Sequence, residues 1–326
     1  VLHDVLQARG ETPRLYDPEA VSAQVLPLLR PWQRRAWVEG DLCTPFEALT
    51  WADPRYPAAL RDAGDAPPVL FVEGCVEALG PMEQAVAVVG SRRVQREGFS
   101  ATSLLAHRLA QGGRTIVSGL ALGVDAAAHD AALRAGGRTV AVLGHGLAYT
   151  SPRVHRRLRA RIVEAGGAVV SSFPDTMEAQ RYTFPRRNRW IAALAAVTVV
   201  TQAATRSGAR ITAVEAAKLG RSVRAYRGQG RAFDGCRALI EEGAEGFDDP
   251  EALAAALCSV EHVPCAPWLR MLFDGRTVAQ VADHWGGTER ALSRELVRLE
   301  LEGVVVRLPQ GRYAPGRGLA WHTPSS

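Results

Sequence analysis

Residues 85–123 read AVAVVGSRRVQREGFSATSLLAHRLAQGGRTIVSGLALG, and their texture decides the fold. AVAVVG is a short, wholly apolar, valine-rich run ending in glycine, which suits a strand buried on both faces. EGFSATSLLAHRLAQGG then carries the spacing of an amphipathic helix with a glycine stop. RTIVSG repeats the strand. The alternation continues through DAAAHDAALRAGG, where Asp125 is a candidate N-cap, and through RTVAVLG, SPRVHRRLRARIVEAGG and AVVSSFP. Beyond these come AAVTVVTQA, the helix GARITAVEAAKLG and the strand RSVRAYRG. Strands alternating with helices predict an α/β fold: a doubly wound, mostly parallel, Rossmann-like sheet over residues 56–245. A short strand at about Val69–Val72 leads into it.

The flanks differ in pattern. Residues 1–55 hold short apolar segments broken by proline and glycine, ending in TPFEALT, and predict a small helical module with Thr44 capping its last helix. Residues 246–264 predict a linker with one helical stretch. Residues 265–326 contain the helix TVAQVADHWG, the helix TERALSRELVRLELEG and a hairpin, VVVRL–PQG–RYAP, which together predict a winged-helix domain. Arg290, Arg294 and Arg298 recur every four residues among Glu289, Glu295 and Glu300. That spacing suits either a stripe on DNA or a solvated, internally paired face that docks a partner.

Composition bounds the function. A chain of 326 residues, 47% hydrophobic, accommodates two or three domains with a sizeable core. No stretch is long and apolar enough to span a bilayer, and the first residues lack the pattern of a secretory signal. The sequence opens on Val1, so further N-terminal residues are expected, and the expected compartment is the cytoplasm. Five scattered cysteines without CxxC spacing or histidine neighbours predict free thiols and no metal site. No cofactor is expected. The net charge of +5 is mild, and Lys218 is the only lysine. So general a preference for arginine means that position, rather than residue type, must carry any inference about phosphate.

In an open α/β sheet, ligands bind beyond the carboxyl ends of the strands. The first strand delivers Gly90-Ser91-Arg92-Arg93 there, and the second Ser118-Gly119-Leu120-Ala121-Leu122-Gly123. The third delivers Gly144-His145-Gly146, and the strand AAVTVVTQA leads to Arg206-Ser207-Gly208. FPRRNR, residues 184–189, falls on the same edge. Glycines let backbone N–H groups approach a ligand, helix N-termini favour phosphate, and Phe184 offers a stacking face for an unpaired base. Each element also has a plainer reading. Arg186 and Arg187 suit solvated charge, Asn188 suits an N-cap, and His129 and His145 have no partner pattern. No P-loop, HExxH or GxSxG signature occurs, which favours binding over turnover.

Taken in order, YPAAL (56–60), PPVLFVEG (67–74), VAVVGSRR (86–93), VSGLALGVDAAAH (117–129), TVAVLGHGL (139–147), FPRRNRWIAAL (184–194), SGARITA (207–213) and GRSV (220–223) resemble the DNA-processing protein A family. The resemblance implies a homodimer that binds single-stranded DNA and helps to load the RecA recombinase during DNA uptake or repair, with single-strand-binding protein as a further partner and no enzymatic reaction. It implies phosphate contacts from Gly90, Ser91 and Arg92, a basic DNA contact at Arg181, and a groove wall of Phe184, Arg187, Asn188 and Arg189. Gly119, Ser207 and Gly208 complete the expected DNA-binding set. The helical start resembles a SAM or helix-hairpin-helix module. Departures include Ser171-Ser172 for serine-glutamate, Arg227-Gly228 for proline-glycine, and Arg237 for an asparagine.

The competing class is a nucleoside-monophosphate phosphoribohydrolase of the lysine-decarboxylase-like group, whose hallmark is PGGxGTxxE. SGARITAVE keeps Thr212 and Glu215 at that spacing, but Arg210 and Ile211 replace the glycine-bearing turn.

Overall fold

A computed structural model describes residues 46–51, 53–63 and 66–259, together with 263–264, 272, 277–285, 288–301, 305–307, 313–315 and 321–322. The helical module expected in residues 1–45, with its cap at Thr44, lies outside the described residues. The chain divides into two compact units between Ala255 and Ala256.

The first unit is built on nine strands: β1 (Glu47–Thr50), β2 (Val69–Gly74), β3 (Ala85–Gly90), β4 (Thr115–Ser118), β5 (Thr139–Leu143), β6 (Ala168–Ser171), β7 (Val197–Gln202), β8 (Ser222–Tyr226) and β9 (Glu245–Phe247). They lie in the order β1-β2-β6-β5-β4-β3-β7-β8-β9. β3 to β9 are mutually parallel, and β2 runs antiparallel to both β6 and β1. Among the described residues the helices are α1 (Ala58–Arg61), α2 (Arg96–Gln111), α3 (Val124–Arg134), α4 (Arg156–Glu164), α5 (Thr183–Ala193), α6 (Gly208–Lys218), α7 (Asp234–Glu241) and α8 (Pro250–Cys258).

The apolar runs explain why both faces are covered. Along β5, Val140 and Val142 enter one core with Trp190 of α5 and Ala209 of α6, while Ala141 and Leu143 enter another with Ile162 of α4. A strand that is apolar at every position therefore needs a helical layer on each side. Alanine and glycine let those layers close up: a Cβ added to Gly137 would stand 2.7 Å from that of Ala110.

Two expectations are corrected. Glu47–Thr50, read as part of a helix, is an edge strand registered against Val69–Val72, and its Leu49 is fully buried. Four residues between breaks are too few to sustain a helix, and strand pairing satisfies their backbone instead. The sheet also runs into the expected linker, since β9 ends at Phe247 and α8 is tied to α2 by the Glu251–Arg108 ion pair.

In the second unit, helices Val278–Trp285 and Glu289–Leu301 are followed by antiparallel strands Val305–Arg307 and Tyr313–Pro315. Leu272, Val281, Leu292, Leu296, Val305 and Tyr313 form its core.

His129 is a core group in α3. Its Nδ1 lies 2.7 Å from Thr139 Oγ1, and the Thr139 hydroxyl donates to the Ile116 carbonyl at 2.7 Å. The threonine proton is thus committed, so the imidazole donates through Nδ1 and is neutral. Burial pushes the His129 pKa from 6.5 down to about 3, helped by the positive charge of nearby groups. The unfolded chain takes up this proton near the ordinary value while the folded chain resists it. The stabilisation is therefore complete above about 6.5 and is lost as pH falls toward about 3. At pH 5 the loss is about 2 kcal/mol. Urea unfolding at pH 7.5 and pH 5 should show that drop in the native chain and a clearly smaller one in His129→Leu.

Candidate nucleic-acid interface

Strand order reverses at β3. The chain proceeds from β3 through β4 and β5 on one side and resumes at β7 on the other. The crevice of a doubly wound sheet opens at such a switch point, here beyond Gly90 and Gln202.

Gln202 shapes the first wall. Its carbonyl accepts from Ser91 N at 2.8 Å, its Oε1 accepts from Gln95 N at 2.9 Å, and its Nε2 donates to the Arg93 carbonyl at 3.2 Å. One buried amide thereby pins the whole turn 91–95. Gly90 is required because a Cβ there would stand 2.6 Å from Val124 Cγ2 and 2.8 Å from the Gln202 carbonyl oxygen. The Ser91 hydroxyl accepts from Arg93 N at 3.1 Å, and the turn presents Arg92 and Arg93 to solvent.

The second wall is the turn 119–123 ahead of α3. Asp125 is not the N-cap; that position belongs to Gly123, at φ 80°. The Asp125 carboxylate instead reaches back to accept from Gly119 N at 3.2 Å and Ala121 N at 3.3 Å. Between them Leu120 is held at φ 55°, a conformation that costs a non-glycine residue about 1–3 kcal/mol. Its carbonyl accepts from His155 Nδ1 at 2.8 Å. Gly123 closes against the first wall, and Val124 N donates to the Ser91 carbonyl at 3.1 Å.

The third wall is the start of α5. The helix begins at Thr183, so FPRRNR lies within it, which removes the N-cap reading of Asn188. The Thr183 hydroxyl donates to the Gly144 carbonyl, and Phe184 rests against Gly144, where an added Cβ would be 2.9 Å from the ring. The guanidinium carbons of Arg92 and Arg187 lie 5.3 and 5.9 Å from the centre of the Phe184 ring.

Arg187 is not an open groove residue. It is 3% exposed and donates through Nη1 to the Val142 carbonyl at 2.7 Å. One turn below Phe184, it points into the sheet ends. Burial lowers its pKa to about 10 against the opposing pull of Asp125, and burial raises that of Asp125 against the opposing pull of Arg187. Gly119 makes room for the pair, since a Cβ there would stand 1.7 Å from Arg187 Nη1.

The remaining residues form a second group. Arg189 donates to Glu215 Oε2 at 2.8 Å and to the Ala63 carbonyl at 2.7 Å, so it fastens α5 to α6 and to the segment after α1. Asn188 Nδ2 donates to the Gly208 carbonyl at 3.2 Å. Ser207 caps α6 by accepting from Ala209 N at 3.3 Å, and Gly208 is open to solvent. Arg181 is exposed immediately before α5, Arg186 on its outer side and Arg206 before α6; none of the three is ion-paired among the described residues. The geometry thus unites Gly90, Ser91, Arg92, Gly119 and Phe184, with Arg187 beneath them, and Arg181 is exposed two residues before α5. Gln202 and His155 gave no sequence signal, because each acts on a backbone group distant along the chain.

Glu215, the candidate acid of a phosphoribohydrolase, has one carboxylate oxygen on Arg189 and the other on Lys218 at 2.7 Å. No cluster of histidine, cysteine or acidic residues among the described residues could hold a metal ion, and no helix there is long and apolar enough to cross a membrane.

Removing one partner of a buried charge pair strands the other and costs about 3–5 kcal/mol, whereas exposed cations are worth within about 0.5 kcal/mol. Urea denaturation should therefore show Arg187→Ala strongly destabilised and Arg186→Ala nearly native. Equal stability of the two would place Arg187 on the surface.

Residues 47–257 match the family model for DNA recombination-mediator protein A. Protein Smf of Escherichia coli is 38% identical over 303 residues, covering 85% of this chain and 80% of that protein. DNA processing protein DprA of Streptococcus pneumoniae is 39% identical over 202 residues, 61% of this chain and 70% of that one. Its crystal structure superposes with a TM-score of 0.62 at 32% identity, over 78% of this chain and 86% of that one. The Helicobacter pylori DNA processing protein A, described for its single-stranded DNA binding mode, gives 0.59 at 27% identity, over 65% and 95% of the two chains. With the family model spanning well over half its length, the chain belongs to the DNA recombination-mediator protein A family.

Proposed function

We propose that this protein binds single-stranded DNA in the crevice beyond β3, β4, β5 and β7, and acts there as a recombination mediator without turnover. The observation that carries the reading is Phe184, a half-buried aromatic face at the switch point. It is flanked by the exposed guanidinium of Arg92, and the exposed arginines at positions 93, 181 and 186 form no ion pair with a described residue. An aromatic platform beside a basic rim suits unstacked bases on a flexible backbone, whereas a duplex hides its base faces. The single-stranded DNA binding of the Helicobacter pylori relative supports the same reading. Cytoplasmic residence, RecA loading, contact with single-strand-binding protein and a homodimeric state belong to this proposal as family expectations.

The second unit supports a winged-helix reading, with Glu289–Leu301 as the presented helix and the strands Val305–Arg307 and Tyr313–Pro315 as the wing. Its helix exposes Arg290, Arg294 and Val297, while Arg298 is engaged with Glu295. A mixed apolar and basic face of this kind serves DNA or a protein partner.

Equilibrium binding to a labelled single strand and to its duplex, each over a range of salt, tests the proposal. The single strand should bind more tightly, with affinity falling linearly in log salt at about 0.7 per phosphate neutralised. Arg92→Ala with Arg181→Ala should weaken binding and lower that slope by about 1.4. Phe184→Ala should cost about 1–3 kcal/mol and leave the slope unchanged. Equal affinity for duplex, or no effect of the arginine pair, would sink the groove.

A further inference from the structure

Beside the crevice the chain offers a second basic surface. The 3₁₀ turn Arg153–His155 and the first turn of α4 expose Arg153, Arg156 and Arg157, the last two lying three and four residues after the first, spacings at which each neighbours it along a helical surface. None forms an ion pair with a described residue. Two acids on adjoining elements are already committed: Asp130 takes Arg134 at 3.1 Å and Arg161 at 2.8 Å, and Glu73 takes Arg159 at 2.6 Å. Among the cations stands Val154, 72% exposed, with Leu122 exposed by 46% on the crevice side.

This surface is joined to the crevice by contacts. Arg92 lies over Phe184, Gly123 abuts Ser91 and Arg92, and Leu122 is next in the same turn. Two residues back, the Leu120 carbonyl receives the His155 hydrogen bond, so the basic turn hangs directly from the crevice wall. His155 is buried while its neighbours on either side face solvent.

We propose that a single strand leaving the crevice crosses Leu122 and continues onto Arg153, Val154, Arg156 and Arg157. The arginines would neutralise phosphates and Val154 would lie under a base or sugar. Alternating cationic and apolar contact of that kind holds single strands without reading sequence. The inference rests on the crevice being a single-strand groove and extends its length.

The test compares poly-thymidine oligonucleotides of roughly 6 and roughly 16 nucleotides, using the full chain and the variant Arg153→Gln/Arg156→Gln/Arg157→Gln. All three positions are exposed, and matching thermal melts will establish that the variant folds. The expected result is unchanged affinity for the short strand, a roughly tenfold loss for the long one, and a salt slope lower by about 2 for the long one only. The triple Arg→Lys variant should restore the long-strand affinity. Identical long-strand binding by native and variant chains overturns the inference, as does a loss that falls equally on both lengths. A native chain that binds neither length overturns the crevice reading itself, which separates the two failures.

Discussion

Taking a guanidinium out of water costs several kcal/mol unless a counter-charge and hydrogen-bond acceptors go with it. Arg187 has the Asp125 charge near it and the Val142 carbonyl as acceptor for Nη1, while its buried Nε has no acceptor, and the remainder of the crevice is arranged around that fact. The arginine can reach them only because position 119 lacks a side chain. Asp125, once drawn inside, must satisfy its carboxylate, and its Oδ2 does so by accepting from the N–H groups of both Gly119 and Ala121. Those bonds hold Leu120 in its left-handed conformation, and the turn then closes against Ser91. Two buried opposite charges thus set the relative placement of three separate segments.

The consequence for the proposed function is a division between buried supporting residues and exposed residues open to contact. Gln202, Asp125, His155 and Arg187 are buried and spend their hydrogen bonds on backbone groups. Arg92, Arg93, Arg181 and Arg186 are exposed and spend none on carboxylates among the described residues. Phe184 belongs to both sets, with one side packed on Gly144 and the other facing the Arg92 guanidinium. A flexible polyanion is best met this way. A prearranged platform lowers the ordering cost of binding, while mobile cations on the rim adapt to the phosphates.

Much of this was legible in one dimension. Apolar runs such as AVAVVG and TVAVL predict strands covered on both faces, and they became β3 and β5 at the centre of the sheet. The rule that ligands gather at strand carboxyl ends located the crevice, and the ordered motifs pointed to the family that the match over residues 47–257 establishes. Glu47–Thr50 was misread because a segment of four residues carries too little periodicity to distinguish helix from edge strand.

What the sequence determined by itself was therefore the layered α/β architecture, the edge of the sheet at which the candidate site was sought, and the segments that meet there. These follow from local patterns of two to four residues, which a chain expresses without knowing its neighbours. Only the tertiary structure decided which arginines face water. Arg186, Arg187 and Arg189 are adjacent in one motif, yet one is exposed, one is buried against Asp125, and one is locked to Glu215. The partners that make the difference lie 62 and 26 residues away along the chain. No local pattern encodes contacts of that range, because they exist only once the sheet has brought its strand ends together.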